Sequence, residues 1–238
     1  MERIQKIIAS SGYCSRRKAE ELIIQGKVKL NGKIIRELGT KATSSDQIMV
    51  EGNLISEENK VYYLLNKPRG VITSVQDDKN RKTVVDLINT DKRIYPVGRL
   101  DYDTTGILLL TNDGELANLI MHPKNKIDKV YIAKVNGLVT KEIALKLSNG
   151  VLIDGKKTSK ARVKVKKYDK KTGTSVLELT IHEGRNHQVK KMFEAVGFEV
   201  LKLKREKIAF LDLTGLKSGA YRKLSIKEVK KLYSEVTK

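Results

Sequence analysis

Two carboxylates, Asp101 and Asp103, sit two residues apart in a polar segment, 97–106, that runs straight into the apolar residues Ile107, Leu108, Leu109 and Leu110. A loop tied to a buried strand can hold a carboxylate in one place, as acid, base or nucleophilic work requires. The pair also has a spacing open to metal ligands, and Asp and Thr are ordinary turn residues, so three readings stand at this point. A catalytic carboxylate must stay ionised. Burial alone raises its pKa, so a cation has to lie beside it. Lys190 is a candidate. Residues 186–196 read as a helix closed by Gly197, with Val189, Met192, Phe193 and Val196 on its buried face. Lys190 lies about 100° from Val189 around that helix. There its stem can pack beside the core while the amine reaches a cleft, although an exposed surface lysine has the same pattern.

The charge balance points to a polyanionic partner. The chain has 238 residues, with 48 Lys and Arg against 28 Asp and Glu, a formal net charge of +20. Residues 1–60 carry 11 basic and 8 acidic groups and residues 61–238 carry 37 and 20, so the positive field belongs mainly to the larger part. Nucleic acid is the first candidate and an anionic membrane surface the second. The second lacks a long basic amphipathic helix with exposed aromatic or leucine residues. The lone Cys14 cannot form an internal disulfide, and His122, His182 and His187 stand at no ligand spacing, so no structural zinc site is expected. No stretch approaches the roughly 20 apolar residues of a membrane span, and the N-terminus lacks a secretory pattern. A soluble, cytoplasmic protein is expected.

The elements that must position these groups fall in two parts, divided near the polar stretch 56–60. The first part reads as two helices and short strands. Ile4, Ile7 and Ile8 repeat at helical spacing; Ser15 can cap a second helix that ends at Gly26; Asn31-Gly32 and Glu51-Gly52 are hairpin turn pairs. Arg16, Arg17 and Lys18 open the second helix, and Lys27, Lys29 and Lys33 follow on the hairpin, giving a compact basic edge that can meet RNA phosphates. In the second part strands are expected at 61–65, 106–110, 129–135, 162–168 and 176–181 and near Val200 and Phe210. Helices are expected from Asp113 to Met121, at 140–147, and from Ser225 onward. Without long βαβ alternation the fold class is α+β with a largely antiparallel sheet.

The string SGYCSRRKAEELIIQGKVKLNGKII resembles the S4 RNA-binding domain over about the first 50 residues. GRLDYDTTGILLLTNDGELANLIMHP, KVYIAKVNG and HEGRNHQVKKMFEAVGFEV, with LLNKPRGVITS before them and LKREKIAFLDLTGLKSGAYRKLSIKEV after, resemble the RsuA/RluB family of pseudouridine synthases. The combined order is specific; no single piece is. The resemblance implies isomerisation of uridine in ribosomal RNA to pseudouridine. It implies a small S4-like α/β domain at 1–58, then a catalytic domain at 61–238 with a mixed, mainly antiparallel sheet, flanking helices and a central cleft. It implies no cofactor and no metal. Its catalytic aspartate maps to Asp101, its tyrosine to Tyr131 and its basic residue to Lys190. KPRGVITS, IYPVGRLDYDTTG and HEGRNHQVKKMF look most like the branch acting on large-subunit (23S) ribosomal RNA, with the small-subunit branch and a non-catalytic ribosome-assembly factor as rivals.

The chemistry suits these residues. Isomerisation breaks the ribose–nitrogen bond, turns the base and rejoins it through carbon, with nothing oxidised and no group exchanged overall. The carboxylate has three routes: addition to C6, attack at C1′, or assistance of elimination to a glycal. Tyr131 offers a ring for stacking and a hydroxyl for proton movement. The base must leave its helix first, and Arg99 can fill the gap or hold a phosphate. Lys67, Arg69, Arg185 and Lys191 are further phosphate candidates, Asp103 a loop cap beside Thr104 or Thr105, and His187 and Gln188 supporting groups. The expected partner is ribosomal RNA, met by a monomer, with no membrane.

Overall fold

The computed structural model describes residues 1–43 and 45–236. They form two compact units, one comprising residues 1–61, 90–94 and 112–114 and the other the remainder.

In the first unit β1 (Glu2–Arg3) leads into α1 (Ile4–Ser10), followed by α2 (Arg16–Ile24), β2 (Val28–Leu30), β3 (Lys33–Ile35), β4 (Lys41–Ala42), β5 (Ile48–Val50) and β6 (Asn53–Leu54). Ser15 caps α2, its hydroxyl accepting the Lys18 N–H at 3.1 Å. Asn31-Gly32 and Glu51-Gly52 turn with positive φ at both positions, the conformation a two-residue hairpin needs. The strands line up as β3-β2-β5-β6. Ile4, Ile8, Ala19, Leu22, Ile23, Val28 and Val50 close into one core, so the apolar spacing that marks the helices also joins them to the hairpins.

The second unit contains β7 (Tyr62–Lys67), β8 (Tyr95–Val97), β9 (Thr105–Thr111), α3 (Gly114–Met121), β10 (Lys129–Asn136), α4 (Lys141–Ser148), β11 (Leu152–Ile153), β12 (Lys156–Lys157), β13 (Arg162–Asp169), β14 (Thr174–Ile181), α5 (Gln188–Glu194), β15 (Val200–Ile208), β16 (Tyr221–Lys223) and α6 (Ile226–Val236). Its large sheet runs β13-β14-β10-β15-β9-β7-β16, with β8 also on β9. The pairings are antiparallel except that of β15 with β9. The class is α+β, as expected.

β9 is buried along both faces, which is why 107–110 is apolar without alternation. Ile107 and Leu109 pack with Leu116 and Ile120 of α3 and Leu232 of α6. Where β9 meets β15, Gly106 is at φ +108°, and a Cβ there would lie 2.1 Å from the Arg205 carbonyl oxygen. Only glycine lets the two backbones come this close. The junction matters because Asp101 lies just before β9.

Three expectations shift. The first strand does not stop at residue 65: it runs through Asn66 and Lys67, which pair with Ile107 and Gly106. α5 begins at Gln188 and not at Asn186. His187 is left-handed at φ +53°, and the Gln188 side chain folds back to accept the Arg185 N–H at 2.8 Å. Phe210 follows the end of β15 in a tight turn closed by Ile208 and Leu211.

Candidate active site

The loop carrying Asp101 is held mainly through its carbonyls. Lys67 is fully buried at the end of β7, and its ammonium donates to the carbonyls of Asp101 at 3.1 Å, Thr104 at 3.0 Å and Pro68 at 3.2 Å. Burial lowers its pKa to about 8, while Asp101 and Asp103 pull the other way. The Thr73 hydroxyl donates to the Leu100 carbonyl at 2.6 Å, and the Gly70 N–H donates to the Tyr102 carbonyl at 2.9 Å. A loop pinned at the carbonyls of Leu100, Asp101, Tyr102 and Thr104 has little freedom to move its carboxylate. Lys67 is therefore an internal strut and not the phosphate contact its sequence position suggested: a lysine with three carbonyl partners inside the fold has no donor left for RNA.

From the other side comes α5. Val189, Met192 and Phe193 are buried, each side chain contributing about 1.5–3 kcal/mol, and this fixes the rotation of the helix. Lys190 and His187 then face the loop. Lys190 Nζ lies 3.5 Å from Asp101 Oδ2 and 2.6 Å from Asp103 Oδ1, and His187 Nε2 lies 3.4 Å from Asp101 Oδ1. The cation expected beside Asp101 is present, but its shorter bond is to Asp103. That hydrogen bond holds the Asp103 carboxyl below its ordinary range. Asp103 is thus the partner of Lys190, not the loop cap expected of it, and the space between the two carboxylates holds an ammonium where a bridging metal would have to sit.

Asp101 opens onto a cavity of about 570 Å³ that Tyr131, Arg99, His187, Lys129 and Arg205 also line. Tyr131 comes from β10 and is nearly buried. Arg205 sits beside it across the strand pair, its guanidinium carbon 5.9 Å from the ring centre and its Nη1 donating to the phenol oxygen at 3.3 Å. Lys129 donates to the carbonyls of Ile127 and His182 at 3.3 Å, and burial, with Arg205 nearby, lowers its pKa to about 8.

The remaining basic candidates divide. Arg69 and Arg99 are exposed. Arg185 is half-buried against the β11–β12 hairpin, donating to the carbonyls of Lys156 at 2.9 Å and Lys157 at 2.8 Å, which occupies two of its five N–H groups. Lys191 pairs with Asp154 at 2.6 Å. In the first unit Arg16, Arg17 and Lys29 are exposed, Lys18 pairs with Glu21 at 2.9 Å and Lys27 with Glu51 at 2.9 Å. Gln188 supports the loop before α5, donating to Glu183 at 2.6 Å. The sequence pattern did not point to Arg205 or Lys129. The parity of Leu203 and Arg205 on β15, inward between outward Lys202 and Lys204, is the signal that could have found Arg205.

The model of the RNA pseudouridylate synthase family matches residues 61–195, which include the loop, β10 and α5. The chain belongs to that family. The S4 domain model matches residues 2–48. The chain is 59% identical, over 98% of its length and 96% of the relative's, to ribosomal large subunit pseudouridine synthase B of Bacillus subtilis (strain 168). It is 38% identical to the dual-specificity RNA pseudouridine synthase RluF of Escherichia coli (strain K12), over 97% of this chain and 78% of that one. A crystal structure of a pseudouridylate synthase superposes with a TM-score of 0.70 at 33% identity, covering 98% of this chain and 100% of the other. This pseudouridine synthase is an enzyme that isomerises uridine in RNA. Among its described residues no helix is long and apolar enough to cross a membrane.

Proposed function

We propose that the cleft at Asp101 is where the isomerisation occurs, that the substrate is a uridine of large-subunit ribosomal RNA, and that the enzyme works in the cytoplasm as a monomer. One observation carries the site: Asp101, its carbonyl held by Lys67 and its carboxylate 3.5 Å from Lys190 Nζ, lines a cavity together with Tyr131. A volume of about 570 Å³ suits a single nucleotide withdrawn from its helix. The swung-out uracil stacks on Tyr131, and Asp101 acts on it or on its sugar. Lys190 supplies the neighbouring positive charge that a working carboxylate needs in a partly dry site. Arg99, exposed at the mouth of the cleft, takes up the gap left by the base or a flanking phosphate.

Residues 1–58 act as the RNA-docking domain and 61–238 as the catalytic domain. The exposed Arg16, Arg17, Lys18, Lys27 and Lys29 meet phosphates, with Arg69 and Lys191 as further contacts. The likeness to a large-subunit enzyme at 59% identity supports the choice of RNA. The test has two arms. Asp101→Asn should bind RNA with wild-type affinity and release no tritium from RNA labelled at uridine C5. Turnover by that folded variant would remove the aspartate from the chemistry. Mapping pseudouridine in the ribosomal RNA of a deletion strain should show one large-subunit uridine left unmodified; a gap confined to small-subunit RNA would overturn the assignment.

A further inference from the structure

Among the described residues three buried side-chain polar atoms have no partner, and two of them belong to residues lining the same cleft: Thr104 Oγ1 and Arg205 Nη2. Both residues are almost wholly buried, Thr104 at 2% and Arg205 at 3% exposure. Folded proteins pair nearly all such groups, so two unmade bonds just behind the wall of one cavity, each on an atom closed to water, call for an explanation. The rest of each residue is committed. Arg205 Nε donates to the Ile107 carbonyl at 2.9 Å and Nη1 to the Tyr131 hydroxyl at 3.3 Å, leaving one nitrogen of the fork over. Thr104 gives its N–H to the Asp101 carbonyl and takes the Lys67 ammonium on its own carbonyl, leaving only the hydroxyl. Thr104 immediately precedes β9 and Arg205 lies in β15. The two strands meet in parallel there, Thr105 pairing with Lys204 and Gly106 with Arg205.

We propose that Arg205 Nη2 and Thr104 Oγ1 come to the cleft surface by side-chain rotation as the base enters and read the uracil edge: the guanidinium donates to O4 and the threonine hydroxyl accepts from N3–H. This rests on the reading of the cleft as the uridine pocket. The donor pattern fits one pyrimidine. Uracil presents acceptor, donor, acceptor along that edge, whereas cytosine replaces O4 by an amino group that would meet the guanidinium donor to donor. The contact also strengthens during the reaction. When the C1′–N1 bond breaks, its electron pair stays on the base and spreads onto the ring carbonyls, so a neutral hydrogen bond becomes a charge-assisted one. C5 then bonds to C1′, the C5 proton leaves and N1 takes up a proton, so the RNA keeps its composition. Tyr131, held by the other nitrogen of the same guanidinium, is aligned with the base that Arg205 reads.

The experiment uses full-length enzyme and an RNA fragment carrying the mapped uridine, with uridine or 4-thiouridine at that position, under single turnover. Sulfur at position 4 is a poor acceptor. Wild type should convert the thio substrate at least tenfold more slowly, and Arg205→Lys, already slowed about a hundredfold, should show almost no additional thio penalty. Thr104→Val should keep or raise the urea midpoint, because it deletes an unpaired hydroxyl, keep the RNA dissociation constant, and lose at least tenfold in rate. Wild-type rate in Thr104→Val, no thio penalty in wild type, or an equal penalty in wild type and Arg205→Lys would each overturn the inference. The thio comparison in wild type decides even if Arg205→Lys fails to fold. Turnover by Asp101→Asn would instead remove the underlying reading of the cleft, so the two failures are distinguishable.

Discussion

Lys67→Met separates the role of the buried strut from that of a surface cation. Methionine keeps the apolar stem but leaves the carbonyls of Asp101, Thr104 and Pro68 without their shared donor. Each buried acceptor so orphaned costs about 1–3 kcal/mol. Against this stands the cost of holding an ammonium inside: a pKa lowered from 10.5 to about 8 corresponds to about 3 kcal/mol near neutral pH. The three orphaned acceptors together outweigh or match that relief, so the net loss of stability at pH 7 should be about 0–6 kcal/mol. Catalysis should fall as well, because the freed carbonyls belong to the loop that aims Asp101. A misplacement of about 1 Å can cost a hundredfold in rate. The two proteins should also differ in their response to pH. Between about pH 8 and 10.5 the unfolded chain binds the Lys67 proton and the folded one has released it, so the wild type gains stability over the methionine variant as pH rises, by up to about 3 kcal/mol. Below pH 8 the difference is flat. Urea unfolding of both proteins at pH 7 and 10, with tritium release at pH 7, makes the measurement. Wild-type turnover in Lys67→Met, or a stability difference that narrows as pH rises, would refute the strut.

Three further outcomes are expected. Gly106→Ala should lower stability by about 3 kcal/mol or more, since its Cβ would meet the Arg205 carbonyl oxygen at 2.1 Å in a backbone conformation already at φ +108°; an unchanged urea midpoint would contradict this. Asp103→Asn should retain turnover within about tenfold, equivalent to about 1.4 kcal/mol, because the amide oxygen still accepts from Lys190 and Asp101 keeps its cation, whereas Lys190→Met should lose far more; equal losses in steady-state assays would show that Asp103 shares the chemistry. Replacing Arg16, Arg17 and Lys18 together by alanine should flatten the dependence of log K on log salt by about 2, since each phosphate that is no longer neutralised removes about 0.7–0.9 from the slope. An unchanged slope in filter binding would take that helix edge off the RNA.

What is legible in the sequence rests on local physics. Asn31-Gly32 and Glu51-Gly52 announce hairpins because their turns need positive φ. Ser15 announces α2 through its cap, and the unbroken 107–110 run announces a strand covered on both faces. The face of α5 is likewise written in Val189, Met192 and Phe193, and it carries Lys190 to the Asp101 loop as its angle from Val189 implied. Of the elements not expected from the sequence, β8, with Pro96 inside it, and β16 are three residues long and owe their form to distant partners, whereas the β11–β12 hairpin closes on itself through Asp154-Gly155, both at positive φ, a local turn signal legible in the sequence.

The side chains whose roles differ from expectation do so for a related reason. Nothing near Lys67 in sequence indicates that carbonyls 34 and 37 residues away will close around its ammonium. Nothing near Arg205 says that Ile107 and Tyr131, 98 and 74 residues away, will each take part of its guanidinium. A strand-ending lysine and a strand arginine in a chain of net charge +20 read as parts of a solvated basic surface. In the fold these two are among the most buried charges of the described residues, one beneath the Asp101 loop and one along the cleft wall. The positive charge of this enzyme therefore serves two purposes with opposite solvation. On the proposed reading, exposed groups such as Arg16 and Arg99 meet phosphates, where water screens each contact and salt weakens it. Lys67 is held by backbone carbonyls and Arg205 by the Ile107 carbonyl and the Tyr131 hydroxyl, both buried away from salt, and on the same reading they set the geometry in which one carboxylate meets one base. Raising ionic strength should therefore erode RNA affinity while leaving the single-turnover rate at saturating RNA nearly constant. A rate that fell in parallel with binding would show that the internal cations are solvated after all.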